Sequence, residues 1–173
     1  MASGRIHDRA TTWLALPFGL LWAPSLGGKG VLVAGLAFLV GGLWLSPDLD
    51  THSNATRRWG PLRGLWFPYR QLICHRSLLS HSPFLGTAGR LLYLGGLFAV
   101  VAVVLAPLLE TGLARMGSAV VDVWASHRPL LLAGLTGVEA SGWLHLLLDG
   151  DPEFHLPMAR RKRRRRPRQP RQG

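Results

Sequence analysis

Gly30-Val-Leu-Val-Ala-Gly-Leu-Ala-Phe-Leu-Val-Gly-Gly-Leu-Trp-Leu-Ser-Pro47 runs without a single Lys, Arg, Asp or Glu. As a helix, such a stretch crosses most of the hydrocarbon core of a bilayer, which takes about 20 apolar residues. Ala10–Gly28 and Leu91–Leu109 are equally free of charge. Pro129–Leu148 is as long but carries Glu139 and His145. The expectation is an all-α integral membrane protein of about four transmembrane helices. The first span is the weakest, because Pro17 and Pro24 interrupt it and Gly27-Gly28-Lys29-Gly30 turns straight into the second. An apolar run after Arg5 and Arg9 also fits a cleaved signal peptide, although the acidic Asp8 is atypical of one. Gly117–Ala125 is too short to cross and reads as an interfacial piece.

Composition agrees with a membrane chain. Only 17% of the 173 residues are charged, where about 25% is usual in soluble domains. The net charge of +11 is concentrated at the end, because nine of the 20 basic residues lie between Arg160 and Arg171. This divides the chain into a membrane-embedded domain, 1–157, which also holds the candidate metal ligands described below, and a disordered polybasic tail, 158–173. The lone Cys74 excludes an internal disulfide. With four spans, the N-terminus, a long loop Thr51–Arg90 and the tail share one side, which holds all the basic residues except Lys29, Arg115 and Arg128. The positive-inside rule then places both termini in the cytoplasm of a multi-pass cell-membrane protein. Trp13, Trp44, Trp59, Trp66 and Trp143 fall near that boundary, as an aromatic belt or as packing residues.

Under this topology the residues that bind metals converge. His7 precedes the first span. Asp48 and Asp50 follow Pro47 at the end of the second. His75 and His81 sit before the third, and His145 and Asp149 close the fourth. His145 and Asp149 are spaced i, i+4, on one face of a helix. An extended Asp48-Leu-Asp50 points both carboxylates to one side. Ser82 reads as the N-cap of the third helix and Pro83 as its first residue, leaving His81 just before it and His75 on the loop below. Ionisable groups at membrane depth are costly and functional by default. Each piece also has a plain reading: a His–Asp hydrogen bond, a solvated turn, an exposed loop histidine. Glu139 is open to three roles: ligand, outer partner of a ligand histidine, or partner of a basic residue. His52 ranks below the seven, His127 reads as structural, and His155 and Cys74 are weaker candidates.

Five motifs occur in order: Met1-Ala-Ser-Gly-Arg-Ile-His7-Asp8-Arg, Ser46-Pro-Asp48-Leu-Asp50, Arg58-Trp-Gly-Pro-Leu-Arg63, His75-Arg-Ser-Leu-Leu-Ser-His81-Ser and His145-Leu-Leu-Leu-Asp149. Together they resemble a bacterial family of metal-binding proteins of undefined function, over residues 1 to about 150. In its His/Asp pattern that family is similar to membrane-bound metal-dependent hydrolases of the DNA-damage regulon. More remotely it resembles the zinc-dependent phospholipase C and single-strand nuclease superfamily. The soluble members of that superfamily use the free amino-terminal residue as a ligand, whereas here His7 takes the early position. The resemblance implies metal binding and suggests phosphoester hydrolysis.

Imidazole and carboxylate ligands without thiolates favour a divalent metal, zinc first, with manganese or iron as alternatives. Seven ligands suit one or two ions. Arg76, beside a ligand, reads as a phosphate clamp or as a positive-inside anchor, and Asp8 as an orienting carboxylate or general base. The resulting expectation is a zinc-type hydrolase of phosphoesters at the cytoplasmic face. The alternative is a non-catalytic metal carrier, sensor or membrane scaffold with the same site. Membrane lipids are the expected partners, with anionic lipid or nucleic acid engaging the basic tail. No serine-nucleophile motif and no phosphate-cradling glycine loop is present, so covalent and nucleotide-dependent chemistry have no support.

Overall fold

The computed structural model describes residues 3–73, 77–108 and 112–150, which are helical with no strand among them. Four long helices dominate: α1 (Gly4–Leu20), α2 (Ala23–Trp44), α6 (Leu85–Leu105) and α7 (Leu113–Asp149). Between α2 and α6 lie a 3-10 turn Pro47–Asp50, α3 (Asn54–Arg58), a second 3-10 segment Gly60–Trp66, α4 (Phe67–Leu72) and α5 (Leu78–His81). The stretch expected to be a long loop is thus a folded cap of short helices.

Among the described residues three helices, rather than the four expected, are long and apolar enough to cross a membrane: those within Ala23–Asp50, Leu85–Leu105 and Leu113–Asp149. The reason lies in the first hairpin. The chain turns at Leu21-Trp22, before Pro24, because proline is well placed in the first turn of α2. Gly27, at φ +59°, bends α2 without ending it, so the turn expected at Gly27–Gly30 is a kink. α1 therefore stops at Leu20, and its first two turns carry Arg5, Asp8 and Arg9. At the other end, Gly117–Ala125 is no separate piece. It forms the exposed first half of α7, which bends at His127 beside Pro129 and continues to Asp149.

α1, α2 and α7 pack through small residues at four-residue spacing. The buried positions are Thr11, Ala15 and Gly19 on α1, Gly30, Ala34 and Phe38 on α2, and Ala133, Gly137 and Ser141 on α7. The backbones come close enough that a Cβ at Gly137 would lie 2.5 Å from the Ala34 carbonyl oxygen, and one at Gly41 2.8 Å from the Val138 Cα. Close approach of small residues lets helices associate where burial from water supplies no drive. One step further along the same stripes stand His7, four before Thr11, and His145, four after Ser141; both are buried. α6 behaves differently. It is anchored at its start by the buried Gly86, Thr87 and Arg90, and only 6% of its apolar span is buried.

The cap has a core of its own, built on Leu45, Leu49, Ala55, Trp66 and Tyr69, with Trp59 and Tyr93 against it. Trp66 meets Trp59 and Tyr69 at ring-centre distances of 5.3 Å and Tyr93 at 5.5 Å. Burial pushes the Tyr69 hydroxyl above its usual range, so the ring packs as a neutral phenol. Trp59 and Trp66 are accordingly packing residues, while Trp13 and Trp143 are exposed.

Candidate metal centre

The ends of the seam and the underside of the cap meet around His145. Its Nε2 lies 3.5 Å from Asp48 Oδ1 and 3.5 Å from Asp149 Oδ2. His81 approaches from α5, with Nε2 3.9 Å from the same Asp48 oxygen and Nδ1 3.7 Å from Asp50 Oδ2. His7 stacks on His145 at 4.1 Å between ring centres, and its Nε2 faces Asp149 Oδ1 at 3.1 Å. Two overlapping groups result, each with ligand atoms within 4.8 Å of one another: His7, His145 and Asp149, and Asp48, His81 and His145.

Burial makes the cluster demanding. His7 Nδ1 and His145 Nε2 are both buried without a hydrogen-bond partner. A polar atom left so costs on the order of 1–3 kcal/mol. His145 Nε2 faces two carboxylate oxygens at 3.5 Å, and a cation between them would relieve all three groups. The donor set therefore fits a divalent metal ion bound through nitrogen and oxygen.

The local structure differs from expectation at three points. Ser46 caps a 3-10 turn at Pro47–Asp50 rather than an extended strand. Asp48 and Asp50 consequently address His81 through its two different ring nitrogens instead of pointing to one side. Ser82 is not the N-cap of α6. Phe84 holds that place with φ +61°, and its amide donates to Glu139 Oε1 at 2.8 Å. Trp143 Nε1 donates to the same oxygen at 2.6 Å. These contacts add a role to the three open to Glu139: the carboxylate of α7 accepts from the backbone at the start of α6. Neither group of candidate ligands includes it.

Asp8 forms an ion pair with Arg58, which also donates to the Leu43 carbonyl at 3.0 Å. Both line a cavity of about 240 Å³ that also touches His7, Asp48 and His145. His52 is exposed, 3.5 Å from Arg70, and His127 is exposed at the α7 bend. Cys74, His75, Arg76, His155 and the tail lie outside the described residues. Four participants were not singled out from sequence: Ser46, 3.3 Å from His145 Nδ1; Ser80, 3.0 Å from His81 Nδ1; Arg58; and Arg90, buried and donating to the Ser80 carbonyl. The Ser-Pro-Asp capping pattern announces Ser46. Nothing in the sequence announces its contact with a histidine 99 positions away.

A helical seam ending in His7, His145 and Asp149 and a cap supplying Asp48 and His81 define a metal-binding protein of the all-helical class. The chain belongs to the family described as uncharacterized metal-binding protein (DUF2227), which matches residues 2–158. A protein of Aquifex aeolicus (strain VF5), described as uncharacterized, is 48% identical over 61 residues. That match covers 35% of this chain and 43% of the relative. No solved structure matches.

Proposed function

We propose that the protein is embedded in the cell membrane, holds a divalent metal ion (zinc in preference to manganese or iron) at its cytoplasmic face, and hydrolyses phosphoesters there. The observation that carries the metal is the bare, buried His145 Nε2 facing two carboxylates. Membrane embedding draws its support from the three apolar helices and from outward side chains such as Leu92, Phe98, Val103 and Val104, a surface that water would penalise. In this reading α1 completes a fourth crossing, so that the starts of α1 and α6 and the ends of α2 and α7 lie together. Arg57, Arg58, Arg63 and Arg70 cluster at that end, which orients it toward the cytoplasm.

When bound, the ion supplies Lewis acidity toward a phosphoryl oxygen and makes water a stronger acid. The chain's own residues do the rest. The cavity beside His145 has Arg57 and Arg58 on its wall, cationic groups whose geometry suits phosphate oxygens. Asp8 orients the Arg58 guanidinium across that wall and keeps it from swinging away. The suggestion of phosphoester chemistry rests on this cationic wall together with the resemblance drawn from the five motifs.

The test is elemental analysis of detergent-purified protein, followed by a phosphodiester assay with and without chelator. Bound metal with chelator-sensitive hydrolysis supports the reading, and metal without hydrolysis leaves the non-catalytic carrier or sensor. Reporter fusions after Lys29 and after Gly150 should report opposite sides of the membrane; the same side for both would falsify the topology.

A further inference from the structure

Among the groups near the centre, the way each one is backed by a neighbour separates ligands from supports. We propose that the centre holds one ion, on Asp48 Oδ1, His81 Nε2, His145 Nε2 and Asp149 Oδ2, and that Ser46, Ser80 and His7 are positioning residues behind these ligands. The inference rests on the metal-binding reading above and on no catalytic activity.

His145 belongs to both candidate groups. Its Nε2 carries one lone pair and serves one ion, which we place between the two groups. The spacing fits. Nε2 stands 3.5 Å from the facing oxygens of Asp48 and Asp149, longer than an ordinary N–H···O bond of about 2.7–3.2 Å. It is close to the edge, roughly 3.4 Å, of a tetrahedron built on zinc–ligand bonds of about 2.1 Å. His81 Nε2 stands 3.9 Å from the same Asp48 oxygen; Asp149 shares a group with His145 but not with Asp48 or His81, so the proposed ion draws Asp149 and His81 inward to complete four corners.

Three of the four ligands have their other polar atom held. Ser46 Oγ accepts the Asp48 amide at 3.4 Å and faces His145 Nδ1 at 3.3 Å. With Nδ1–H donating to Ser46, the lone pair is left on Nε2. Ser80 gives its own hydroxyl hydrogen to the Ser77 carbonyl at 3.2 Å, so its oxygen is the acceptor for His81 Nδ1–H at 3.0 Å. That again puts the lone pair on Nε2. The carboxylate of Asp149 is divided: Oδ1 takes His7 Nε2–H at 3.1 Å and Oδ2 turns toward His145. His7, with Nε2 committed and its ring stacked on His145, is thus a brace. Outer partners of this kind fix the tautomer and orientation of metal ligands, and their loss weakens binding by about 10–100-fold.

The experiment uses the full chain in detergent, stripped by chelator and reloaded with Zn²⁺ or Co²⁺. One ion per chain is expected. His145→Ala should lose it; Ser46→Ala and His7→Gln should keep one ion with affinity lowered about 10–100-fold and an unchanged Co²⁺ absorption band. Ser46→Thr should restore affinity. Helix content by circular dichroism screens every variant for folding, and His7→Asn substitutes for His7→Gln if the latter misfolds. Two ions per chain, wild-type affinity in Ser46→Ala, or loss of the ion and of the Co²⁺ band on replacing His7 would overturn this inference alone. A wild-type chain that binds no ion would overturn it together with the reading on which it rests.

Discussion

The seam of α1, α2 and α7 and the cap that follows α2 fix their side chains with opposite materials. The seam is built from Gly, Ala, Ser and Thr, and its precision comes from backbone lying on backbone, as where Gly137 meets Ala34 and Phe38. The cap is built from Trp59, Trp66, Tyr69 and Tyr93, and its precision comes from large rings interlocking at about 5 Å. A seam has no slack, because a backbone cannot choose another rotamer. A cap tolerates local repacking. The metal centre draws His145 and Asp149 from the first and Asp48 and His81 from the second, so it reports on both.

Overfilling the seam should do the most damage. In Gly137→Leu the new Cβ would lie 2.5 Å from one backbone oxygen and 2.9 Å from the Phe38 amide nitrogen. The expected outcome is loss of folded protein, read as aggregation on size exclusion in detergent. Recovery of a folded, metal-binding Gly137→Leu protein would break the distinction drawn here. Emptying the cap should cost less. Trp66→Ala removes a fully buried ring and should destabilise by about 3–5 kcal/mol. Helix content should persist while metal affinity falls, because Leu49, between the two aspartates, packs in the same core.

Removing the ion tests the join between the two regions. At a free metal concentration 100 times Kd, chelation should withdraw about 2.7 kcal/mol, seen as a lower thermal midpoint. Acid should have the same effect, since histidines must be neutral to coordinate. Smallest of all should be changes on α6 beyond its anchor: Phe98→Ala, exposed, should shift stability by no more than about 0.5 kcal/mol. Truncation after Pro157 should leave bound metal unchanged and weaken association with anionic vesicles at low salt.

Much of this was legible in the sequence. Charge-free stretches located α2, α6 and the second half of α7, because desolvating a charge is costly wherever it happens. Spacing brought His145 and Asp149 to one face. The sequence placed the division of α1 from α2 at Gly27–Gly30 instead of Leu21-Trp22, because Pro24 opens a helix here instead of breaking one. The four-residue stripe of small residues was available too, and its continuation to His7 and His145 is a signal that apolar averages wash out. What no local pattern supplies is the tertiary contact: Ser46 on His145, Glu139 on the Phe84 amide, Arg58 on Asp8. Each joins elements 50 or more positions apart.

His7 and Asp149 meet across 142 positions of chain. A centre with a contributor from the first helix and a ligand from the last turn of the final long helix cannot exist on a partly made protein. During synthesis the early histidine waits, its partner still unmade, until α7 has entered the seam. On the proposed ligand set, ion uptake follows that event, and the ion clasps the loop between Asp48 and Asp149 while His7 braces it. Because the entropy of closing a loop grows only with the logarithm of its length, that clasp is nearly as easy to fasten here as across a chain half as long.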